Sequence, residues 1–342
     1  MIHTVLCDLL NIKHPIIQAG MGPFATELLA IAASNAGILG LISHSGGPLM
    51  GFDKPVPEIM SDAIDMVAKN TKNTFGVNVR VAKNQPDAKK CIKMICEKVQ
   101  SDSDIAKKLR VVVTSAGDPM GGSRKDGTWT EQLHRAGILH IHVAAAIRHA
   151  LRVEKAGCDA VIASGYEAGG HLALVPVHTW VLLQGVVKAV KIPVIAAGGM
   201  ADGSSLAAAL AMGAVGIQMG TRMIATKDSD FKNNYKESFL NAAETDTVVL
   251  PGFFSPHCRY LSNEWTKKLE EMMAENASDE ELMKFKAQGR YLAAEVGDKR
   301  GSLLCGQVAG LIKDIPTVKE LVDRTIQEAE EIIKKLPSYI KS

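Results

Sequence analysis

Short apolar, β-branched runs alternate with longer stretches of helical spacing over the first two thirds of the chain. Residues 15–19, 38–43, 75–80, 111–115, 138–143, 160–163, 194–197 and 215–219 read as strands. Between them lie "TELLAIAASNAG", "EIMSDAIDMVAKN", "DAKKCIKMICEKVQ", "EQLHRAG", "IRHALRVEKAG", "HTWVLLQGVVKAV" and "DGSSLAAALAMG". Several of these end in Ala-Gly or Met-Gly, the glycine expected just past a helix C-terminus. Near-continuous apolar strands argue for a parallel sheet buried on both faces. Eight repeats of strand then helix match a (β/α)8 TIM barrel, an α/β fold. A doubly wound open sheet shares the pattern, and periodicity alone does not separate the two.

The texture changes after Thr226. Residues 227–300 are richer in charge and read as a mainly helical insert or subdomain after strand eight. Residues 301–342 return to amphipathic spacing and are expected to pack back on the barrel of residues 1–226.

Bulk properties narrow the function. At 342 residues the chain is too long for one small domain and short for three. A hydrophobic content of 46% with 22% charged residues is that of an ordinary globular protein. A formal net charge of +2 gives no basic field for nucleic acid or an anionic membrane. The cysteines, at 7, 91, 96, 158, 258 and 305, form no Cys-x-x-Cys pair and read as reduced thiols. The N-terminus lacks the basic-then-apolar pattern of a signal peptide. No apolar run approaches the roughly 18 residues of a membrane span. A cytoplasmic protein is the expectation. No Asp/Glu/Cys cluster of ligand spacing surrounds the histidines, so no metal site is expected.

Candidate chemistry lies at the strand ends. In "PVIAAGGMADGSSLAAALAMGA" a strand ends in Gly198-Gly199, and Asp202-Gly203-Ser204-Ser205 opens a helix. In "GIQMGTRMIAT" the next strand ends in Gly220-Thr221. Small residues let backbone amides approach an anion, and a helix N-terminus adds partial positive charge. In a barrel the loops after strands seven and eight are where phosphate commonly binds. Plain turn glycines are the alternative. A third stretch, "ASGYEAGGHLALVP", places Gly169-Gly170 beside His171. Histidine suits general-base work because its pKa lies near the working pH. A loop-anchoring histidine is the bland alternative.

Together these stretches, with "HPIIQAGM" at 14–21, "FGVNV" at 75–79, "TSAGDP" at 114–119, "MGTR" at 219–222 and "GQVAGLI" at 306–312, resemble the nitronate monooxygenase family. Its close relatives are the flavin-dependent enoyl-ACP reductases and NAD(P)H:quinone reductases. The resemblance spans nearly the whole chain and implies FMN at the top of the barrel. It implies Gly20 and Met21 against the flavin ring, and Asn78 on the ring's polar edge. Gly169 and Gly170 would let backbone approach the cofactor. Gly198, Gly199, Gly220 and Thr221 would bind the phosphate, and Gln218 would face the cofactor. His171 would be the catalytic base. Glu167 is grouped with the cofactor-binding residues; orienting the loop, binding a cation, or serving as a paired structural carboxylate are its other readings.

The resemblance implies oxidation of alkyl nitronates with oxygen. Val143, the segment after strand eight and the residues following His171 keep open an NAD(P)H-dependent reductase acting on an enoyl thioester or a quinone. A barrel binding a phosphate ligand without redox chemistry is the reading from another class. His44 and His142 fall near strand ends, where each reads as pocket-lining or as a structural histidine. The partner expected is a small-molecule substrate. A homodimer is the assembly such enzymes commonly form.

Overall fold

The computed structural model describes residues 1–44, 46, 53–123, 126–252 and 257–340. Eight strands form one sheet: β1 (Ile16–Gln18), β2 (Gly40–Ile42), β3 (Phe75–Arg80), β4 (Leu109–Ser115), β5 (Leu139–Ala144), β6 (Ala160–Ser164), β7 (Val194–Ala197) and β8 (Gly216–Met219). Their spatial order is β1-β8-β7-β6-β5-β4-β3-β2, and every neighbouring pair is parallel. A parallel bridge from Ile17 to Leu39 links β1 to the residue just before β2. The sheet therefore curls round on itself, which decides for the (β/α)8 barrel over the open sheet.

Side-chain alternation builds both surfaces of the barrel. In β3, Phe75, Val77 and Val79 pack outward with Met60, Ile64 and Ile92 of the surrounding helices. Gly76, Asn78 and Arg80 take the other face. The amino end of the barrel is closed by the helix Val5–Leu10, whose Leu6 and Leu10 pack with Ile17, Leu39, Val111 and Ile195.

Among the described residues each of the seven connections between consecutive strands is helical, as the spacing predicts, and the one between β3 and β4 holds two helices, Ala88–Ser101 and Ser103–Lys108. The eighth position belongs to Val318–Lys335, which packs on the helices Gly203–Ala211 and Glu27–Asn35. Val318, Leu321, Val322, Thr325, Ile326 and Ala329 are its buried residues, spaced as one helical face. Its start is fixed by a capping box between Thr317 and Glu320. The contact with the seventh helix is close: a Cβ on Gly203 would lie 2.5 Å from Ala329 N.

Residues 227–300 are not helical alone. Besides the helices Glu264–Ala274 and Asp279–Tyr291, this region holds the strands Thr247–Leu250 and Cys258–Leu261. With Gly170–His171 from the loop after β6 they form a three-stranded antiparallel sheet. The two runs are short and pair with each other, and the partner on the other side of Cys258–Leu261 lies almost ninety residues away, so local pattern does not announce the sheet. The region also shares a core with the barrel, in which Phe24 meets Phe231 at 5.1 Å and Tyr235 at 5.8 Å.

Leu321 is 2% exposed at the junction of the C-terminal helix with the barrel. Leu321→Ala is expected to cost about 2–5 kcal/mol, read as a lowered urea midpoint with an unchanged m-value. A loss under ~0.5 kcal/mol would mean that this helix is peripheral to the barrel.

Candidate active site

The carboxyl ends of the strands surround a cavity of about 660 Å³, a size typical of small-molecule sites. The residues that the resemblance assigns to cofactor and catalysis all line it: Gly20, Met21, Asn78, Glu167, Gly169, Gly170, His171, Gly198, Gly199, Gln218, Gly220 and Thr221.

On the β1 and β3 side, Met21 N donates to Ser43 Oγ at 2.6 Å, which fixes the turn after β1. A Cβ at Gly20 would lie 2.4 Å from Asn78 Cβ, so glycine there is what lets Asn78 reach in. Asn78 Nδ2 donates to Val113 O at 3.0 Å and to Ser115 Oγ at 3.4 Å. The amide oxygen is the group left to accept a ligand hydrogen bond.

The loop after β6 is held from three directions. Glu167 accepts from Thr179 N and Thr179 Oγ1, each at 2.9 Å through Oε2, at the start of the helix Thr179–Ala189. Its negative charge there complements the helix N-terminus. Glu167 therefore borders the cavity while its carboxylate anchors the loop, the structural alternative to a cofactor contact. Gln307 N donates to Glu167 O at 3.0 Å. From the post-barrel sheet, Arg259 donates to Tyr166 O at 2.8 Å, with its guanidinium 5.2 Å from the Tyr166 ring centre. Gly170 and His171 pair with Arg259 and Cys258.

The two adjacent glycines have different causes. A Cβ on Gly169 would lie 2.4 Å from Cys305 C and 2.5 Å from Gly306 N. Packing against the protein's own backbone, not room for a cofactor, sets Gly169. Gly170 has φ +66°, and a Cβ there would meet nothing within 4 Å. Backbone conformation sets Gly170, which also leaves the space beside it open.

At the β7 and β8 end, Gly198 and Gly199 both have φ +81°. Thr221 Oγ1 accepts from Gly306 N at 2.8 Å. The N-terminus of the helix Gly203–Ala211 is a correction to the sequence reading. Asp202 and Ser205 cap it reciprocally, and Gly203 N donates to Glu328 of the C-terminal helix at 2.9 Å. The Gly203 and Ser205 amides thus donate within the protein, and Met200 is where this strand end leaves the cavity.

The histidines divide by environment. His171 is held down to about 4 by burial first and by the Arg80 charge second, so it is a neutral imidazole at neutral pH. His142 lines the cavity, and burial lowers it to about 4. It bonds Thr114 Oγ1 at 2.6 Å, and the same hydroxyl reaches His140 at 2.7 Å. His44 lies outside the cavity lining and serves the fold, since its Nδ1 accepts from Arg80 N at 3.0 Å. Among the described residues no group of three or more His, Cys, Asp and Glu could hold a metal ion, and no helix is long and apolar enough to cross a membrane.

The sequence reading missed Arg80, a charged residue in the cavity wall. A signal was available, since it follows Asn78 by two residues and a strand turns both to one face. Tyr166, in the loop itself, was also missed, as were Arg259 and the Cys305–Gly306 backbone, which only long-range packing brings to the loop.

The nitronate monooxygenase family profile matches residues 3–328. A Rhodococcus jostii protein named (3aS,4S,5R,7aS)-5-hydroxy-7a-methyl-1-oxo-octahydro-1H-indene-4-carboxyl-CoA dehydrogenase is 32% identical, with 98% of each chain covered. A probable nitronate monooxygenase of Staphylococcus aureus is 32% identical over 86% of this chain and 88% of its own. Of solved structures, FabK from Thermotoga maritima superimposes with a TM-score of 0.86 at 37% identity, covering 99% of this chain and all of its own. Nitroalkane oxidase from Streptomyces ansochromogenes gives 0.75 at 27% identity, covering 97% of this chain and all of its own. Profile, relatives and fold converge, and the chain is an oxidoreductase that belongs to the nitronate monooxygenase family.

Proposed function

We propose that the protein is an FMN-dependent oxidoreductase that oxidises alkyl nitronates with oxygen, with His171 as the catalytic base. The observation that carries the proposal is His171 itself, a neutral imidazole on the wall of the strand-end cavity, held there by strand pairing. The family is flavin-dependent.

The chain's residues fit FMN. Gly170, Gly199 and Gly220 are positions where an added Cβ would stand in open or loosely bounded space; the nearest atoms are 3.8 Å away at Gly199 and 3.7 Å at Gly220. Backbone thus forms the cavity surface at three strand ends. In this proposal Gly198, Gly199, Gly220 and Thr221 hold the phosphate, Gly20 and Met21 face the ring, and Asn78 and Gln218 meet its polar edge. Bound FMN supplies the electron acceptor. The protein positions the substrate, excludes water and offers the His171 lone pair to a substrate proton.

A second reading is favoured by the FabK superposition, at higher TM-score and identity than nitroalkane oxidase. It is an NAD(P)H-dependent reductase of an enoyl thioester or a quinone. Val143 gives the cavity an apolar patch suited to such a substrate. The two readings separate in an anaerobic cuvette of FMN-loaded protein. Flavin bleaching by an alkyl nitronate but not by NADH or NADPH is the expected result. Fast bleaching by the nicotinamide would replace the first reading with the second.

His171→Ala is expected to keep the flavin spectrum and lose about 10²–10⁴ in turnover; full activity would remove the base role. The pH profile follows from the neutral histidine. A lowered pKa means His171 keeps its lone pair as pH falls until it protonates near about 4. The limb of kcat/KM assigned to His171 should therefore lie near pH 4, measured over the acid range where the enzyme stays folded. A limb at the ordinary histidine value of about 6.5 would contradict the buried environment.

A further inference from the structure

Two threonines and two histidines form a buried row that the proposed reaction does not use. In β4 and β5, Val113 and Ile141 face the barrel interior, so Thr114, His140 and His142 take the outer face. The helix Trp129–Arg135, between β4 and β5, brings Thr130 to His140. Thr130 Oγ1 lies 2.8 Å from His140 Nδ1, His140 Nε2 lies 2.7 Å from Thr114 Oγ1, and Thr114 Oγ1 lies 2.6 Å from His142 Nδ1. Burial holds His140 down to about 3 and His142 to about 4, so both rings are neutral at neutral pH.

The row has one direction. A neutral imidazole donates from one nitrogen and accepts at the other. The His142 ring also hydrogen-bonds the Gly117 backbone, and that bond strengthens its hold on a proton, as a carbonyl acceptor does. With Nδ1 at Thr114, the nitrogen that donates to Gly117 is Nε2. Nδ1 then accepts from the Thr114 hydroxyl, and Thr114 accepts from His140 Nε2. His140 Nδ1 in turn accepts from Thr130, with the Cys158 thiol 3.4 Å from the same nitrogen. Every O–H and N–H of the row is thus directed toward Gly117.

Gly117 belongs to a loop that needs holding. Ala116 has φ +57°, the left-handed region that a residue with a Cβ rarely adopts. Such a conformation persists where its surroundings over-determine it. Gly117 packs so closely on the Val81 carbonyl that a Cβ there would overlap it, and Arg152 holds Asp118 at 2.6 Å. Ser115, Ala116, Gly117 and Pro119 all line the cavity, and Ser115 Oγ accepts from Asn78 Nδ2 at 3.4 Å.

We propose that His142 is a positioning residue: the one-way row from Thr130 fixes it as an N–H donor to Gly117, which sets the loop after β4 as a wall of the cavity beside Asn78. Only the use of FMN as a probe rests on the function proposed above.

Nitrogen-15 NMR of the histidine rings and an FMN titration followed by flavin fluorescence test the row together. In the wild type both rings are expected to be neutral, with the proton on Nε2 of each. Thr114→Val, at a position outside the cavity lining, is expected to release the His142 tautomer and weaken FMN binding about tenfold. His142→Leu should weaken it similarly. His142→Gln, whose amide nitrogen takes the place of Nε2, should regain most of the affinity. Thr114→Val combined with His142→Leu should bind FMN no more weakly than His142→Leu alone, because both remove one constraint. Should the leucine variant fail to fold, Thr114→Val and the glutamine variant carry the test. A wild-type His142 protonated on Nδ1, unchanged FMN affinity in Thr114→Val, or losses that add in the double variant would overturn the proposal. A wild type with the expected tautomers that bound no FMN would remove the proposed cofactor and leave His142 as the donor that holds the wall.

Discussion

Four residues in two short strands hold the site in its working shape. Gly170 and His171 pair with Arg259 and Cys258, and without that pairing the loop after β6 would have no edge to lie against. The pairing sets which way His171 faces, brings Arg259 to the Tyr166 carbonyl, and lays Gly169 on the Cys305–Gly306 backbone. A barrel supplies strand ends, but it does not by itself define the path of the loops that leave them. Here the definition comes from chain that follows the barrel in sequence.

Electrostatics follows from the same arrangement. Glu167 is a carboxylate of the loop itself, and the start of the helix Thr179–Ala189 takes it up. Glu328 and Asp202 likewise occupy the start of the helix Gly203–Ala211. With those groups engaged, His171 feels chiefly its own burial and the Arg80 guanidinium, and both disfavour a proton on the ring.

Much of this was legible in the sequence because it is local. β3 and β7 have the boundaries that their apolar runs predict, and the strand-end residues Gly20, Asn78, Gly198, Gly199, Gln218, Gly220 and Thr221 line one cavity, whereas His44 and Asp202 to Ser205 do not. Strand ends are legible because apolar runs and glycine turns are properties of neighbouring residues. The cause of Gly169 was not legible, since the atoms that forbid a side chain there belong to residues 305 and 306. The strand Cys258–Leu261 was hidden for the same reason, since it lies between the nearby Thr247–Leu250 and a second partner, Gly170–His171, remote in sequence. Arg80 lies between these cases: its face is predictable from Asn78, but at the end of an apolar run it reads first as punctuation.

The plug at the amino end has a kinetic meaning. Leu6 and Leu10 fill the floor of the barrel together with inward-facing strand residues, all essentially without exposure. With that end filled, the cavity among the described residues lies at the strand-end side. A flavin seated there as proposed would be approached from that side, and a first product would have to leave before a second bulky reactant took its place. Such a geometry favours alternating half-reactions, with two large reactants competing for the same doorway.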